Sequence, residues 1–213
     1  MRLYYHYCLA GFSNCYLVGT DLFSKEAPSQ KAPSEEAIII DPGIMDCSML
    51  NIIEENNYSI LGVLITHDHP HHVMGLRSIL RIYDTKVFAI NPVVWGHRST
   101  LVHDGETISL GSFKIEVFSV PGHSADSAVF RIERLLFTGD ALSAGLMGST
   151  ASSYSDANQA SALRRKILSL PGDYTILPGH GPPSSLEVER RFNLDLNSFE
   201  QQKTRRQSFR FDF

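Results

Sequence analysis

Six of the nine histidines in this 213-residue chain fall in three places where a loop follows an apolar run: His67, His69, His71 and His72 in THDHPHH, His123 in VPGHS, and His180 in LPGHGP. A lone histidine is ordinarily a packed or surface residue, but four within six residues, directly after Gly62-Val63-Leu64-Ile65-Thr66, form the pattern of a metal site. A buried apolar run makes a stiff strand, and residues just past its end can share an ion. His67 and His69, one residue apart, can face the same ion, with His123 and the Asp140 carboxylate completing a first site. His71, His72 and His180, with Asp140 bridging, would make a second. Imidazole and carboxylate suit zinc first, then manganese or iron, and the absence of cysteine from these loops argues against a closed structural zinc. A pair of ions sharing a carboxylate leaves room for a bridging water whose pKa falls toward neutrality, giving a hydroxide nucleophile.

These loops need elements to hold them. Residues 2–9 and 14–19, rich in Tyr, Leu and Val, read as a hairpin around Ala10-Gly11-Phe12-Ser13. Residues 21–36, with Pro28, Pro33, several serines and mixed charge, read as an exposed insertion. Ala37-Ile38-Ile39-Ile40 is a buried strand halted by Asp41-Pro42-Gly43, and residues 46–56 carry Met49, Leu50, Ile52 and Ile53 at helical spacing. The order repeats with strand 60–66, the histidine loop, a helix over 72–83 and strand 86–90, an alternation that predicts an α/β layered core. Further on, Phe113, Ile115 and Val117 alternate with Lys114 and Glu116, and residues 128–132 and 135–139 add two strands, the second ending at Thr138-Gly139-Asp140. Residues 157–170 form a helix with an Ala160, Leu163, Ile167, Leu170 stripe, stopped by Pro171-Gly172, and strand 174–177 then delivers His180. Every candidate ligand comes after a strand, so strand ends from two sheets can converge at one edge of a sandwich.

Composition bounds the rest. The length suits one domain spanning 1–213, and 43% apolar with 20% charged residues is the balance of a soluble globular protein. The N-terminus lacks a secretory pattern and no stretch is long enough to span a membrane, so a cytoplasmic location and no membrane partner are expected. Cys8, Cys15 and Cys47 cannot all pair and read as buried reduced thiols. A formal charge of −4 argues against a general nucleic-acid partner and leaves a small-molecule substrate. The tail over 196–213 differs: Lys203, Arg205, Arg206 and Arg210 interleave with Phe199, Phe209, Phe211 and Phe213, which reads as a frayed or self-docked terminus. Oligomeric state is not legible.

The order THxHxxH, PGHS, FTGD and LPGHGP, with Ile39-Ile40-Asp41-Pro42-Gly43, resembles the metallo-β-lactamase superfamily from Asn14 to about Asn193, and within it the small hydroxyacylglutathione-hydrolase (glyoxalase II)-like branch. The resemblance implies a four-layer αβ/βα sandwich with metals at one edge. It implies His67, His69 and His123 on the first metal, His72 and His180 on the second, and Asp140 on both. It also implies a metal-dependent hydrolase, its metal-bound hydroxide attacking a thioester, ester, lactone or related small substrate. The loop Ala144–Thr150 lacks the Gly-Arg-Thr-Asp of many relatives, which weakens a glutathione-thioester assignment.

One position departs from the pattern. Relatives carry aspartate two residues after the second histidine, as a second-metal ligand that orients the attacking water, and here that residue is His71. Replacing a carboxylate with a neutral imidazole leaves the site more positive, so the second metal should bind less tightly and be lost more readily below about pH 6.5. We expect His71 to remain a ligand and to share the catalytic role with Asp140. The alternatives are a mononuclear iron oxygenase of the persulfide type, using His67, His123 and Asp140, and a non-catalytic protein with a degenerate site. Asp68 should point away from the metals, Asp41 is a turn residue or a brace for the histidine loop, and Thr66 and Ser124 could support the ligands. His6, His97 and His103 read as structural or exposed, and Trp95 reads as core rather than as a wall of the substrate mouth.

Overall fold

The computed structural model describes residues 1–20 and 34–197. Most of the 21–36 insertion and the basic, aromatic tail lie outside the described residues. The first half builds β1 (Arg2–Cys8), β2 (Ser13–Gly19), β3 (Glu35–Ile40), α1 (Cys47–Glu55), β4 (Tyr58–Leu64), α2 (Pro70–Val73), α3 (Leu76–Ile82) and β5 (Lys86–Ala89). A short hairpin of β6 (Val93–Val94) and β7 (His97–Arg98) leads to β8 (Thr100–Leu101). The second half adds β9 (Thr107–Leu110), β10 (Phe113–Ser119), β11 (Ala128–Ile132), β12 (Leu135–Gly139) and a hairpin of β13 (Leu142–Ser143) with β14 (Leu146–Met147). It ends with α4 (Ser153–Ala162), a π-helical turn over Leu163–Leu168, β15 (Thr175–Pro178), β16 (Ser184–Ser185) and α5 (Leu186–Phe192).

The strands form two six-stranded sheets, ordered β1-β2-β3-β4-β5-β8 and β16-β15-β12-β11-β10-β9. The period of two in a strand explains why their sequences are apolar almost without a break. Ile38, Ile40, Tyr16, Val18 and Leu64 point between the sheets, where they meet Ile115, Val117, Phe130, Phe137 and Leu177. Their neighbours Leu17, Ile39 and Val63 point the other way, onto Met49, Ile53, Val73, Leu76 and Ile79 of the first helical layer. Val129, Leu136 and Ile176 likewise pack on Ala160, Leu163, Ile167 and Leu186. The result is the expected four-layer αβ/βα sandwich.

Three sequence expectations change. The helix expected over 72–83 is broken because Gly75 N–H leaves the helical ladder to donate to Pro42 O at 2.8 Å, while His71 O accepts from Ser13 Oγ at 2.6 Å. The helix expected from residue 157 starts at Ser153, where the Ser152 hydroxyl caps it by accepting from Ser155 N–H at 3.1 Å, and it closes in the π turn. Cys8 and Cys15 are buried, but Cys47, at the first turn of α1, is exposed.

Strands β3 and β4 run parallel, as do β12 and β15, and β10 runs the same way as β12 across the antiparallel β11. Their C-terminal ends therefore open on one edge, which receives the loops bearing Asp41, His67, His123, Asp140 and His180. Strand β2 clamps the last of these loops: Asn14 N–H donates to Gly179 O at 2.7 Å, and Asn14 Nδ2 donates to Pro178 O at 2.9 Å and Gly181 O at 2.8 Å. Tyr16 Oη adds a 2.7 Å bond to Pro178 O. Removing the Asn14 side chain leaves Pro178 O with Tyr16 Oη alone and takes the side-chain donor from Gly181 O, so Asn14→Ala should lower the unfolding free energy by about 1–3 kcal/mol. The shift of the urea midpoint measures it, and an unchanged midpoint would show that the clamp contributes nothing.

Candidate metal centre

His67 leaves β4 almost wholly inside the protein, 1% exposed. Thr66 Oγ1 donates to Asp41 Oδ2 at 2.6 Å and therefore accepts from His67 Nδ1 at 3.1 Å, which leaves His67 Nε2 bare. Asp41 is thus a brace as well as a turn residue: it sits at φ 50° and also accepts from Thr66 N–H at 2.8 Å. His123 is set in the same manner, because Ser149 O can only accept and stands 2.8 Å from His123 Nδ1, leaving its Nε2 bare. Both bare nitrogens face His69 Nδ1, at 3.0 Å from His67 and 3.1 Å from His123. At most one proton can serve those two contacts. Asp140 Oδ2 closes the group, 3.8 Å from His67 Nε2 and 3.6 Å from His123 Nε2. Four donors held about 2.0–2.1 Å from one ion in a tetrahedron stand about 3.3–3.4 Å apart, and the observed separations bracket that spacing.

The second group is His72, Asp140 and His180, whose donor atoms lie within 4.8 Å of one another. His72 is fully buried, with Nδ1 3.2 Å from Asp41 Oδ2 and Nε2 3.4 Å from Asp140 Oδ2. Neither nitrogen is in hydrogen-bond geometry with any described residue. Charge attraction without hydrogen-bond geometry therefore holds the ring, and once its proton leaves, Nε2 is free to donate a lone pair to a cation beside Asp140. His180 Nδ1 lies 2.8 Å from Asp140 Oδ1, and its Nε2 lies 3.3 Å from Gly11 O. Two glycines allow these approaches. A Cβ on Gly179 would stand 2.5 Å from both Asp140 Oδ1 and the His72 ring, and one on Gly139, at φ 49°, would stand 2.3 Å from Thr66 Oγ1. The donor set therefore fits divalent metal at both groups, and Asp140 faces the two.

Electrostatics separates the groups. Burial, with His72 close by, pushes His67 down to about 2, and burial beside His123 also lowers His69. His72 goes the other way: burial opposes its charge, but Asp140 and Asp41 outweigh it and raise it to about 10. The Asp140 carboxyl, despite its burial, is held well below the usual carboxylate range by His180 and His72. Burial thus favours the neutral form of His67, whereas the two carboxylates favour the protonated form of His72.

Of the residues expected as ligands, His67, His69, His123, Asp140, His72 and His180 come together, and His71 does not. His71 is exposed and belongs to neither group; its ring packs beside the Gly11 backbone and stands 5.9 Å, centroid to centroid, from His180. Adjacency in α2 does not by itself forbid two ligands, since relatives carry one at each position; here the His71 ring lies over Gly11, and its carbonyl is tied to Ser13 Oγ at 2.6 Å. Asp68 points away, accepting from Trp95 N–H at 3.1 Å. Ser124 bonds Ser127 rather than a ligand. Trp95, expected in the core, is 46% exposed on the β6–β7 turn. His6 pairs with Asp46, and His103 is exposed. Sequence reasoning assigned no role to Asp126, whose carboxylate accepts from Asp68 N–H at 3.0 Å and ties the His123 loop to the His67 loop. Its place three residues after His123 was the available signal. Gln159, fully buried, donates to Ala141 O at 2.8 Å just past Asp140, and nothing local announced it.

Residues 9–180 match the family described as the Metallo-beta-lactamase superfamily. Among curated proteins, a hydroxyacylglutathione hydrolase of Francisella tularensis is 35% identical over 147 residues, which are 68% of this chain and 58% of the relative, so the chain spans well under two thirds of that protein. Among solved structures, ETHE1 from Myxococcus xanthus superposes with a TM-score of 0.77 at 22% identity, covering 91% of this chain and 84% of that one. TTHA1623 in a di-iron-bound form gives 0.71 at 24% identity, covering 90% and 98%. The structural likenesses show the fold.

The geometry makes two measurements decisive. Zinc entering the second group must displace the His72 proton, whereas the first group has no such proton on His67. Affinity at the second group should therefore climb as pH rises toward about 10, while His67 adds no pH dependence at the first. Calorimetry near neutral pH in buffers of differing ionisation enthalpy should find about one proton released with the second equivalent and fewer with the first. Further, His71→Ala should leave metal stoichiometry unchanged by elemental analysis, because His71 is not among the converging donors. Loss of one equivalent would restore it as a ligand.

Proposed function

Because the chain belongs to the metallo-beta-lactamase superfamily, we propose that it is a metal-dependent hydrolase of thioesters, esters, lactones or related small substrates, loaded with two zinc ions. The observation that carries this reading is the convergence of the His67, His69 and His123 donors on Asp140, whose carboxylate also faces His72 and His180. Bound there, the ions would supply Lewis acidity, lowering the pKa of a water molecule and polarising the acyl carbonyl.

The chain's own residues do the remaining work. Asp140, kept ionised by His180 and His72, presents an acceptor between the two groups where an attacking water would be oriented. Asp41 and Thr66 fix His67 from behind, and Ser149 O fixes His123, so neither ring can turn its bare nitrogen away. In the net reaction the water oxygen bonds to the acyl carbon, the acyl C–S or C–O bond breaks, and the leaving thiolate or alkoxide takes up a proton. No carboxylate stands at position 71, so Asp140 is the acidic residue of this centre that both groups share.

A second reading has one observation in its favour. With His71 turned aside, the second group has three donors against four in the first, an arrangement that also suits a single iron in an oxygenase. Three free thiols suit a reducing cytoplasm, and no helix among the described residues is long and apolar enough to cross a membrane.

Protein purified without added metal should contain zinc, lose ester or thioester hydrolysis on chelation and regain it with zinc. Iron, with oxygen uptake and no hydrolysis, would instead establish the second reading. Asp41→Asn, which keeps a residue tolerant of φ 50° but removes the charge beneath His67 and His72, should weaken metal binding or activity about 10–100-fold.

A further inference from the structure

A cavity of about 210 Å³ is lined by the metal donors His123, Asp140 and His180 together with Leu146, Met147 and Gly148 of the β13–β14 segment. Sites for drug-sized ligands run to roughly 300–1,000 Å³, so this one takes a small group. Ser143 and Ser149 complete its lining, and among the described residues that form it Asp140 is the one carboxylate and there is no lysine or arginine. That carboxylate is already engaged by His180 and faces His72. Beyond the donor face, the Leu146 and Met147 wall offers a charged group on the substrate tail no oppositely charged side chain, so carrying a charge against it is unfavourable. An alkyl group would lose water against Leu146 and Met147 instead.

The apolar wall is fixed in place. Glu189 is fully buried, yet each of its oxygens is satisfied: Oε1 accepts from Gly145 N–H at 3.1 Å and Ser184 Oγ at 2.6 Å, and Oε2 accepts from Gly145 N–H at 3.2 Å and Asn193 Nδ2 at 2.7 Å. Gly145 O accepts from Leu194 N–H at 2.8 Å, and Met147 N–H donates to Asp195 Oδ2 at 2.8 Å. A buried carboxylate thus anchors the turn of the β13–β14 hairpin, and the hairpin presents Leu146 and Met147 at a set distance from the donors.

We propose that this cavity holds the acyl portion of the substrate and selects a short, uncharged, apolar acyl group, with Leu146 and Met147 as the specificity-determining residues; the assignment rests on the hydrolase reading above. Alkyl hydroxamates test it without requiring turnover, because the hydroxamate head binds metal and the tail samples the acyl cavity. Their binding to the zinc-loaded full chain is measured by calorimetry, from acetohydroxamate upward, beside succinic monohydroxamate as a charged tail of matching length. Affinity should rise about two- to fourfold per added methylene at the short end and then level off. The succinic tail should bind at least about tenfold more weakly than the butyric one. Leu146→Lys, at a 46% exposed position on the hairpin, should abolish that discrimination with zinc content unchanged. Affinities indifferent to tail length, or a succinic tail that binds as tightly as the butyric one, would overturn the proposal. The tail preference with no cleavage of any ester, thioester or lactone would uphold the cavity assignment and overturn the hydrolase reading alone.

Discussion

His67 Nε2, His69 Nδ1 and His123 Nε2 are held about one hydrogen-bond length apart, at 3.0 and 3.1 Å, with at most one proton to share among them, a crowding of lone pairs that a cation between them relieves. That convergence is the demand the rest of the molecule meets. Two of the three rings are pinned at their far nitrogens, so their relaxation by ring rotation is blocked. Thr66 and Asp41 hold His67, and Ser149 O holds His123. The Asp140 carboxylate, kept ionised despite its burial by His180 and His72, supplies the negative charge that a cation there would meet.

The sandwich gives this arrangement its rigidity. Strands that share a direction end at one edge, and the ligands are placed within a residue or two of those ends, where strand order still limits the backbone. Cross-sheet bonds then set the distances between loops. Ala128 N–H donates to Thr66 O at 2.8 Å across the two sheets, and Asn14 and Tyr16 reach from the first sheet to the carbonyls around His180. A loop fixed only by its own strand would lack this registration.

The two donor groups are physically unlike. The first has four donors, with His67 kept neutral by burial; the second has three, one of them shared, and its His72 carries a proton drawn by two carboxylates. Asp41 links them, because the same carboxylate that orients Thr66 behind His67 faces His72 Nδ1. The two groups therefore share a buried aspartate behind them as well as Asp140 between them.

The sequence by itself determined the layered α/β order and the strand ends after which six of the seven expected donor residues come together, because apolar periodicity fixes which strands are buried and the motifs stand just beyond their ends. It also offered two accounts of Asp41, and both hold. What it did not decide was direction. His71 and His72 are adjacent in the chain, and only the seating of α2, with Ser13 on the His71 carbonyl and Gly75 drawn to Pro42, selects which one faces inward. Nor could it reveal Asn14 against Pro178, 164 residues apart, or the role of Glu189 beneath the β13–β14 hairpin. Local pattern constrains a residue's place along its own element. The rotation of that element and the partners it meets come from packing between distant segments, and tertiary structure alone supplies those.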